Sequence, residues 1–284
     1  MQNMIICPYC HTLVAPRKLI KKNNFDWGFY RCSCDEYPLV AGVLYLTKDD
    51  EKRNFKCVSL IKKNNYISAL DCLLNGSKLE NFFLRLVITR GLKERISYRG
   101  FIFFLSLFSL QKKWYTYLVS RQSSRDLKQY RTFFSIQSPV LDIGSGTSFF
   151  LKNISKSVHY IGLDNNFFLL LIASVFFGNK NRMFICCDVN IKIPIMKNRV
   201  NSVLMMDSFP FLFAKKMIIA ELARVLTKKA ELGIVNIFIK NRKTSAWGYG
   251  ISLLSLKKIL RDTFFLKRVI KNDEVGYSIF AHKI

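Results

Sequence analysis

Residues 139–148 read Pro-Val-Leu-Asp-Ile-Gly-Ser-Gly-Thr-Ser, and the fold of the chain turns on how they are read. An apolar run entering two glycines spaced two apart is the pattern of a buried strand that ends in a tight turn. Glycine is required where the backbone takes positive φ, or where a ligand must stand where a Cβ would otherwise be. Thr147 and Ser148 suit the cap of a helix predicted to start near Phe149, and a helix N-terminus offers unpaired N–H donors to an anionic group.

Working outward, residues 140–143, 160–164, 184–188 and 203–207 are short apolar runs of buried-strand type. Each carries an aspartate at or near its C-terminal end: Asp142, Asp164, Asp188 and Asp207. Residues 214–226 place Ile218, Leu222 and Val225 on one helical face, and 231–239 supply a fifth strand. A turn through 271–274 joins two final runs, 264–270 and 275–282, into an antiparallel hairpin. Alternating strands and helices predict an α/β, Rossmann-like sheet, mostly parallel with that antiparallel C-terminal hairpin, and the carboxylates gather along one edge of it. Asp164 is placed there to accept hydrogen bonds from the two hydroxyls of a ribose, each worth roughly 1.5 to 3 kcal/mol when charge-assisted.

Four segments together, V-L-D-I-G-S-G (140–146), I-G-L-D (161–164), C-D (187–188) and E-L-A-R-V-L (221–226), resemble the class I S-adenosylmethionine (SAM)-dependent methyltransferase family over 138–284. The resemblance implies that Gly144, Ser145 and Gly146 line the methionine moiety, and that Asp142 meets its amino group directly or through water. It further implies that Asp164, with Asn165 beside it, holds the ribose, and that Asp188 with Val189 meets the adenine edge. Asp207 borders the same site and is the candidate catalytic base. The sequence departs from the family pattern at Ser148, where relatives have a third glycine, and at Lys228-Lys229-Ala230, where they usually have Pro-Gly-Gly. The segment after Asp207 also lacks the histidine that some relatives carry there. A dinucleotide-dependent oxidoreductase is disfavoured, because Phe149 stands where that fingerprint has its last glycine.

At the other end, Cys7-Pro8-Tyr9-Cys10 and Cys32-Ser33-Cys34 form two close thiol pairs. Four thiolates so spaced suit a structural, tetrahedral Zn²⁺, whose binding is worth roughly 10 to 16 kcal/mol in small zinc-finger peptides. His11 is the alternative to one member of the second pair; the all-cysteine set is preferred. With Tyr37-Pro38-Leu39-Val40-Ala41-Gly42-Val43, this segment resembles the zinc ribbon that precedes or accompanies some methyltransferase domains.

The net charge of +26 favours anionic partners, although abundant Asn, Ile and Phe point to an AT-biased coding sequence that raises Lys without selection for binding. Three zones follow: a zinc ribbon-like module (1–48), a mostly helical basic and aromatic linker or lid (49–135), and a methyltransferase domain (136–284). In the middle zone Lys112, Lys113, Arg121, Arg125, Lys128 and Arg131 mingle with Trp114, Tyr115, Tyr117 and Tyr130, a composition able to hold RNA or an acidic membrane surface, but also that of an amphipathic helix with a solvated basic face, which is the preferred reading. Runs such as 101–110 and 167–177 fall short of the roughly 20 apolar residues that a membrane span needs. Residues 1–6 are too few and too polar for a signal peptide, so a cytoplasmic, reducing setting is expected. The expected function is methyl transfer from SAM to a small-molecule or RNA acceptor. The alternative is an RNA- or partner-binding module on a degenerate, non-catalytic SAM fold.

Overall fold

The computed structural model describes residues 2–48, 51–92, 95–108, 132–238, 250–272 and 276–284. Among them are eleven strands: β1 (Ala15–Lys22), β2 (Phe25–Arg31), β3 (Glu36–Val40), β4 (Val43–Tyr45), β5 (Val140–Ile143), β6 (Tyr160–Asp164), β7 (Arg182–Cys186), β8 (Val200–Met206), β9 (Leu226–Phe238), β10 (Phe264–Asn272) and β11 (Gly276–Lys283). The helices are α1 (Glu51–Lys62), α2 (Tyr66–Leu73), α3 (Lys78–Thr89), α4 (Tyr98–Phe108), α5 (Phe167–Phe177), α6 (Lys215–Val225) and α7 (Leu253–Leu260).

All eleven strands form one sheet, in the order β1-β2-β3-β4-β7-β6-β5-β8-β9-β11-β10. From β7 to β9 every pairing is parallel, and β11 and β10 close the far edge as the expected antiparallel hairpin. The strand order reverses between β5 and β8, and crevices at such reversals are where α/β sheets bind ligands. The N-terminal strands continue this sheet: β4 runs parallel to β7, with Val43 opposite Phe184, Leu44 opposite Ile185 and Tyr45 opposite Cys186.

One face of the sheet is covered by α1 to α5 and the other by α6, α7 and residues 4–14. Helix α5 is apolar around its whole circumference, and nine of its eleven residues are buried. It lies under β4, where Tyr45 meets Phe167 edge-on, and beside α4, where Tyr98 packs on Phe176 and Phe177. Its lack of a polar face is therefore accounted for by contact with the middle zone and the N-terminal strands. Asn166 starts α5 by accepting from the Leu169 N–H (3.2 Å), and α3 opens on a full capping box of Ser77 and Glu80.

Two local expectations fail. The α-helix predicted near Phe149 is a single 3-10 turn, Phe149–Asn153, and Ser148 makes no side-chain cap bond to it. The connection to β6 is too short for more, because 144–148 form the glycine turn and Ser155 to Val158 form another, with the Ser155 carbonyl accepting from Val158. Strand β9 begins at Leu226, opposite Val200, rather than at Glu231; the register then jumps so that Glu231 faces Ser202. Lys229 inside that jump has φ +59, a left-handed conformation that costs a side-chain-bearing residue about 1 kcal/mol and a glycine almost nothing.

Candidate functional site

The residues singled out for the C-terminal domain all lie at or just beyond the carboxyl ends of β5, β6, β7 and β8. The glycine turn is tied to β6 through the Leu163 carbonyl, which accepts from the Gly144 and Ser145 N–H groups at 2.8 and 3.0 Å. Gly144 (φ +70) and Gly146 (φ +51) both take left-handed backbone. They differ in surroundings. A Cβ on Gly144 would lie 2.2 Å from Ser208 Cβ, so that side of the bend is filled by the loop after β8. A Cβ on Gly146 would meet nothing within 4 Å, which leaves an open cradle against the backbone.

Asp164 turns toward this cradle. Its Oδ2 accepts from the Gly146 N–H and its Oδ1 from the Asn166 N–H, each at 2.8 Å. Burial raises its pKa, opposed by these backbone donors. A carboxylate offers about four lone-pair sites, and the backbone N–H groups of Gly146, Asn166 and Asn165 act on up to three of them, which leaves a site for a ribose hydroxyl. Asn165 beside it is exposed. Asp188, past β7, accepts at Oδ1 from the backbone and side chain of Asn190, and Asn190 in turn accepts from the Phe213 N–H. Val189 is buried among its neighbours.

Asp142 is 4 % exposed and lies behind the turn, where it accepts the Tyr160 hydroxyl proton at 2.5 Å. Burial pushes its pKa up to about 7; the Tyr160 bond opposes this and the Asp164 charge adds to it. For an acid raised above its unfolded value, the folded state binds the proton more tightly. The stabilisation is complete below the unfolded pKa and is lost as pH climbs from about 4 to about 7. Asp142→Asn is therefore expected to melt higher than wild type at pH 8 and close to it at pH 4. Thermal melts at the two pH values check this, and a difference that ignores pH would exclude the buried acid as its cause.

Asp207 has φ +58 and accepts at Oδ1 from the Asn236 side-chain amide at 2.5 Å. Asn236 is itself left-handed (φ +60), in an irregularity of β9 opposite Ser278. Bulges of this kind re-aim side chains beside active sites. Sequence reasoning missed Asn236, and also Ser208, Tyr160, and Tyr98, whose hydroxyl meets Thr147 Oγ1 of the turn at 2.6 Å. Ser208, Tyr160 and Tyr98 do not stand out in a strand or helix pattern, whereas Asn236, a polar residue inside an apolar strand run, offered a signal. The cationic and aromatic residues at 112–131 lie outside the described residues.

In the turns before β1 and between β2 and β3, the ligand atoms of Cys7, Cys10, Cys32 and Cys34 all lie within 4.8 Å of one another. Cys7 and Cys34 sulfurs are 3.7 Å apart, and Cys32 and Cys34 sulfurs 3.4 Å. A tetrahedron with Zn–S bonds of about 2.3 Å has S···S edges of about 3.8 Å, so the donor set fits that ion. His11 is not part of the cluster. Backbone N–H groups of Tyr9 and Cys34 point to the Cys7 and Cys32 sulfurs at 3.4 Å, and the Tyr37 hydroxyl sits 3.3 Å from Cys7. Burial acts to raise the Cys10 thiol, but hydrogen bonds from Ser33 and Thr12 hold it at about 5. Cys34 is pushed up to about 12, by burial first and then by the neighbouring thiols, a mutual opposition that a divalent cation would remove.

No protein-family model matches the chain, and no curated protein matches it. Solved structures do match. An S-adenosylmethionine-dependent methyltransferase from Mesorhizobium loti is 9 % identical over 57 % of this chain and 99 % of its own, with a TM-score of 0.50. A SAM-dependent methyltransferase from Aquifex aeolicus is 23 % identical over 56 % of this chain and 90 % of its own, with a TM-score of 0.47. The [4+2]-cyclase SpnF is 14 % identical over 56 % of this chain and 79 % of its own, with a TM-score of 0.48. The strand order and the likeness to the first of these give the chain the class I SAM-dependent methyltransferase fold.

Proposed function

We propose that the chain transfers a methyl group from SAM to a small-molecule or RNA acceptor, with residues 136–284 as the methyltransferase domain, 49–135 as a helical cover and 1–48 as a zinc ribbon. One observation carries the reading. Gly146, with open space where a side chain would stand, lies 2.8 Å from the Asp164 carboxylate at the reversal in strand order. A nucleoside with an amino-acid tail fits those two features together: Asp164 and Asn165 at the sugar, Gly144 to Gly146 along the tail, and Asp188 with Val189 at the base.

The cofactor, when bound, supplies an electrophilic methyl group on a sulfonium. The protein's part is then chiefly positioning, which is worth roughly 7 to 11 kcal/mol in such displacements. Asp142 places negative charge behind the bend that faces the ammonium of the tail. Asp207, held by the Asn236 amide, is the group best placed to accept a proton from the acceptor. The four cysteines hold Zn²⁺ in a closed set with no position for substrate, so the metal serves structure. Among the described residues no helix is long and apolar enough to cross a membrane.

Calorimetric titration with S-adenosylhomocysteine tests the reading. The full chain is expected to bind it, and Asp164→Ala to bind at least about tenfold more weakly, in line with loss of one charge-assisted hydrogen bond. Unchanged affinity in the variant would remove Asp164 from the site.

A further inference from the structure

Ser148 stands where the turn's third glycine is expected and takes the conformation of one, φ +51 and ψ +36, while only 1 % exposed. Side-chain-bearing residues adopt that region rarely, and then when their surroundings hold them there. The 3-10 turn that follows draws no cap bond from Ser148. Its hydroxyl instead lies 3.2 Å from the Tyr160 hydroxyl, which lies 2.5 Å from Asp142 Oδ2. A phenol has one proton. The Tyr160 hydroxyl faces both Asp142 Oδ2 and Ser148 Oγ as donor, so that one proton is shared between them and a relay of oxygens links Ser148, Tyr160 and Asp142. Tyr160 is fully buried at the start of β6, its ring beside Phe184.

We propose that Tyr160 is the positioning residue of the cofactor turn: it clamps Ser148 from below, so that a serine holds the open bend over Gly146 that a glycine would hold by itself. The proposal rests on the reading of this turn as a SAM site. It also ties cofactor affinity to pH. The charged groups facing the relay are Asp142 itself, Asp164 on β6, and Arg182 on β7, which is bonded to the Phe177 and Ile154 carbonyls. An ionised Asp142 favours a cationic ammonium in front of it, so affinity falls as pH drops below about 7, the value to which burial raises this acid. The Tyr160 bond opposes that rise, so its loss moves the fall to higher pH.

The test is calorimetric titration of S-adenosylhomocysteine into the full chain between pH 6 and 8.5, for wild type, Tyr160→Phe, Ser148→Gly and the double variant. Tyr160→Phe is expected to bind at least about fivefold more weakly at pH 7.5, with its pH profile displaced upward. Ser148→Gly alone is expected to change affinity by less than about threefold, and to restore most of the loss in the Phe background, because a glycine needs no clamp. A Tyr160→Phe protein with wild-type affinity and pH profile overturns the proposal, as does a double variant no better than Tyr160→Phe. Should Tyr160→Phe not fold, Ser148→Ala against Ser148→Gly decides: Ala is expected to bind at least about threefold worse, and equal affinities overturn the clamp. Absence of binding by wild type sinks the cofactor reading and this proposal together, whereas binding that Tyr160→Phe leaves untouched sinks this proposal alone.

Discussion

A chain beginning at residue 49 is expected to be insoluble, or to melt without cooperativity, even though it retains the whole α/β region. Strand β4 occupies the edge of β7, and the Leu46 N–H extends the ladder to the Cys186 carbonyl at 2.8 Å. Its removal exposes a row of unpaired N–H and C=O groups on an apolar strand, the arrangement that invites edge-to-edge aggregation. It also uncovers both faces. Val40, Val43, Leu44 and Leu46 are fully buried, Tyr45 nearly so, and the Ala41 carbonyl accepts the Ser174 hydroxyl of α5 at 2.7 Å. Five such side chains at roughly 1.5 to 3 kcal/mol each amount to about 10 kcal/mol, comparable to the roughly 5 to 15 kcal/mol that holds a whole domain folded. Expression and thermal melting of residues 49–284 beside the full chain check this. A soluble fragment that melts cooperatively within a few degrees of the parent would show that the N-terminal strands are an appendage.

That parallel pairing could not be read from sequence, and the reason is physical. Residues 43–45 and 184–186 are about 140 positions apart, and an isolated three-residue apolar run carries no period that names its partner. What was legible was local. The runs bearing Asp142, Asp164, Asp188 and Asp207 became β5 to β8 and their loops, the helix read at 214–226 formed as α6, and the terminal hairpin formed as β10 and β11. In each, apolar spacing and polar punctuation specify the same element. The helix after the glycine turn did not form because the turn at 155–158 leaves only Phe149 to Ile154 between the bend and the approach to β6. At the site, aspartates at strand ends are visible as a pattern, whereas the groups that hold them, Tyr160 for Asp142 and Asn236 for Asp207, are set by which strands become neighbours. The four cysteines were legible because metal-ligand spacing is itself local within each pair, and the sheet β1 to β3 brings the pairs together.

Replacing Cys7 and Cys10 by serine is expected to abolish bound zinc and to lower the melting temperature by at least about 10 °C. Purified full chain is expected to carry about one zinc per molecule. The four sulfurs crowd within 4.8 Å, and neighbouring thiols raise Cys34 after burial does, so the cluster opposes its own ionisation unless a cation balances it. Zinc-finger peptides derive roughly 10 to 16 kcal/mol from such a metal. At roughly 2 to 4 °C per kcal/mol for a chain of this size, loss of even 3 to 5 kcal/mol of it gives about the shift named. The effect should reach past the cysteine cluster. Cys7 and Cys32 belong to the same buried cluster as Leu44 and Ile185, Tyr37 links the sulfurs to β3, and β3 holds β4 in place on β7. Chelation should therefore weaken S-adenosylhomocysteine binding as well as lower the melting point, since β7 leads into Asp188 and Val189. Metal analysis, melting curves and titrations with and without chelator measure the three effects. A zinc-free chain that melts and binds as before would leave the cluster as four free thiols.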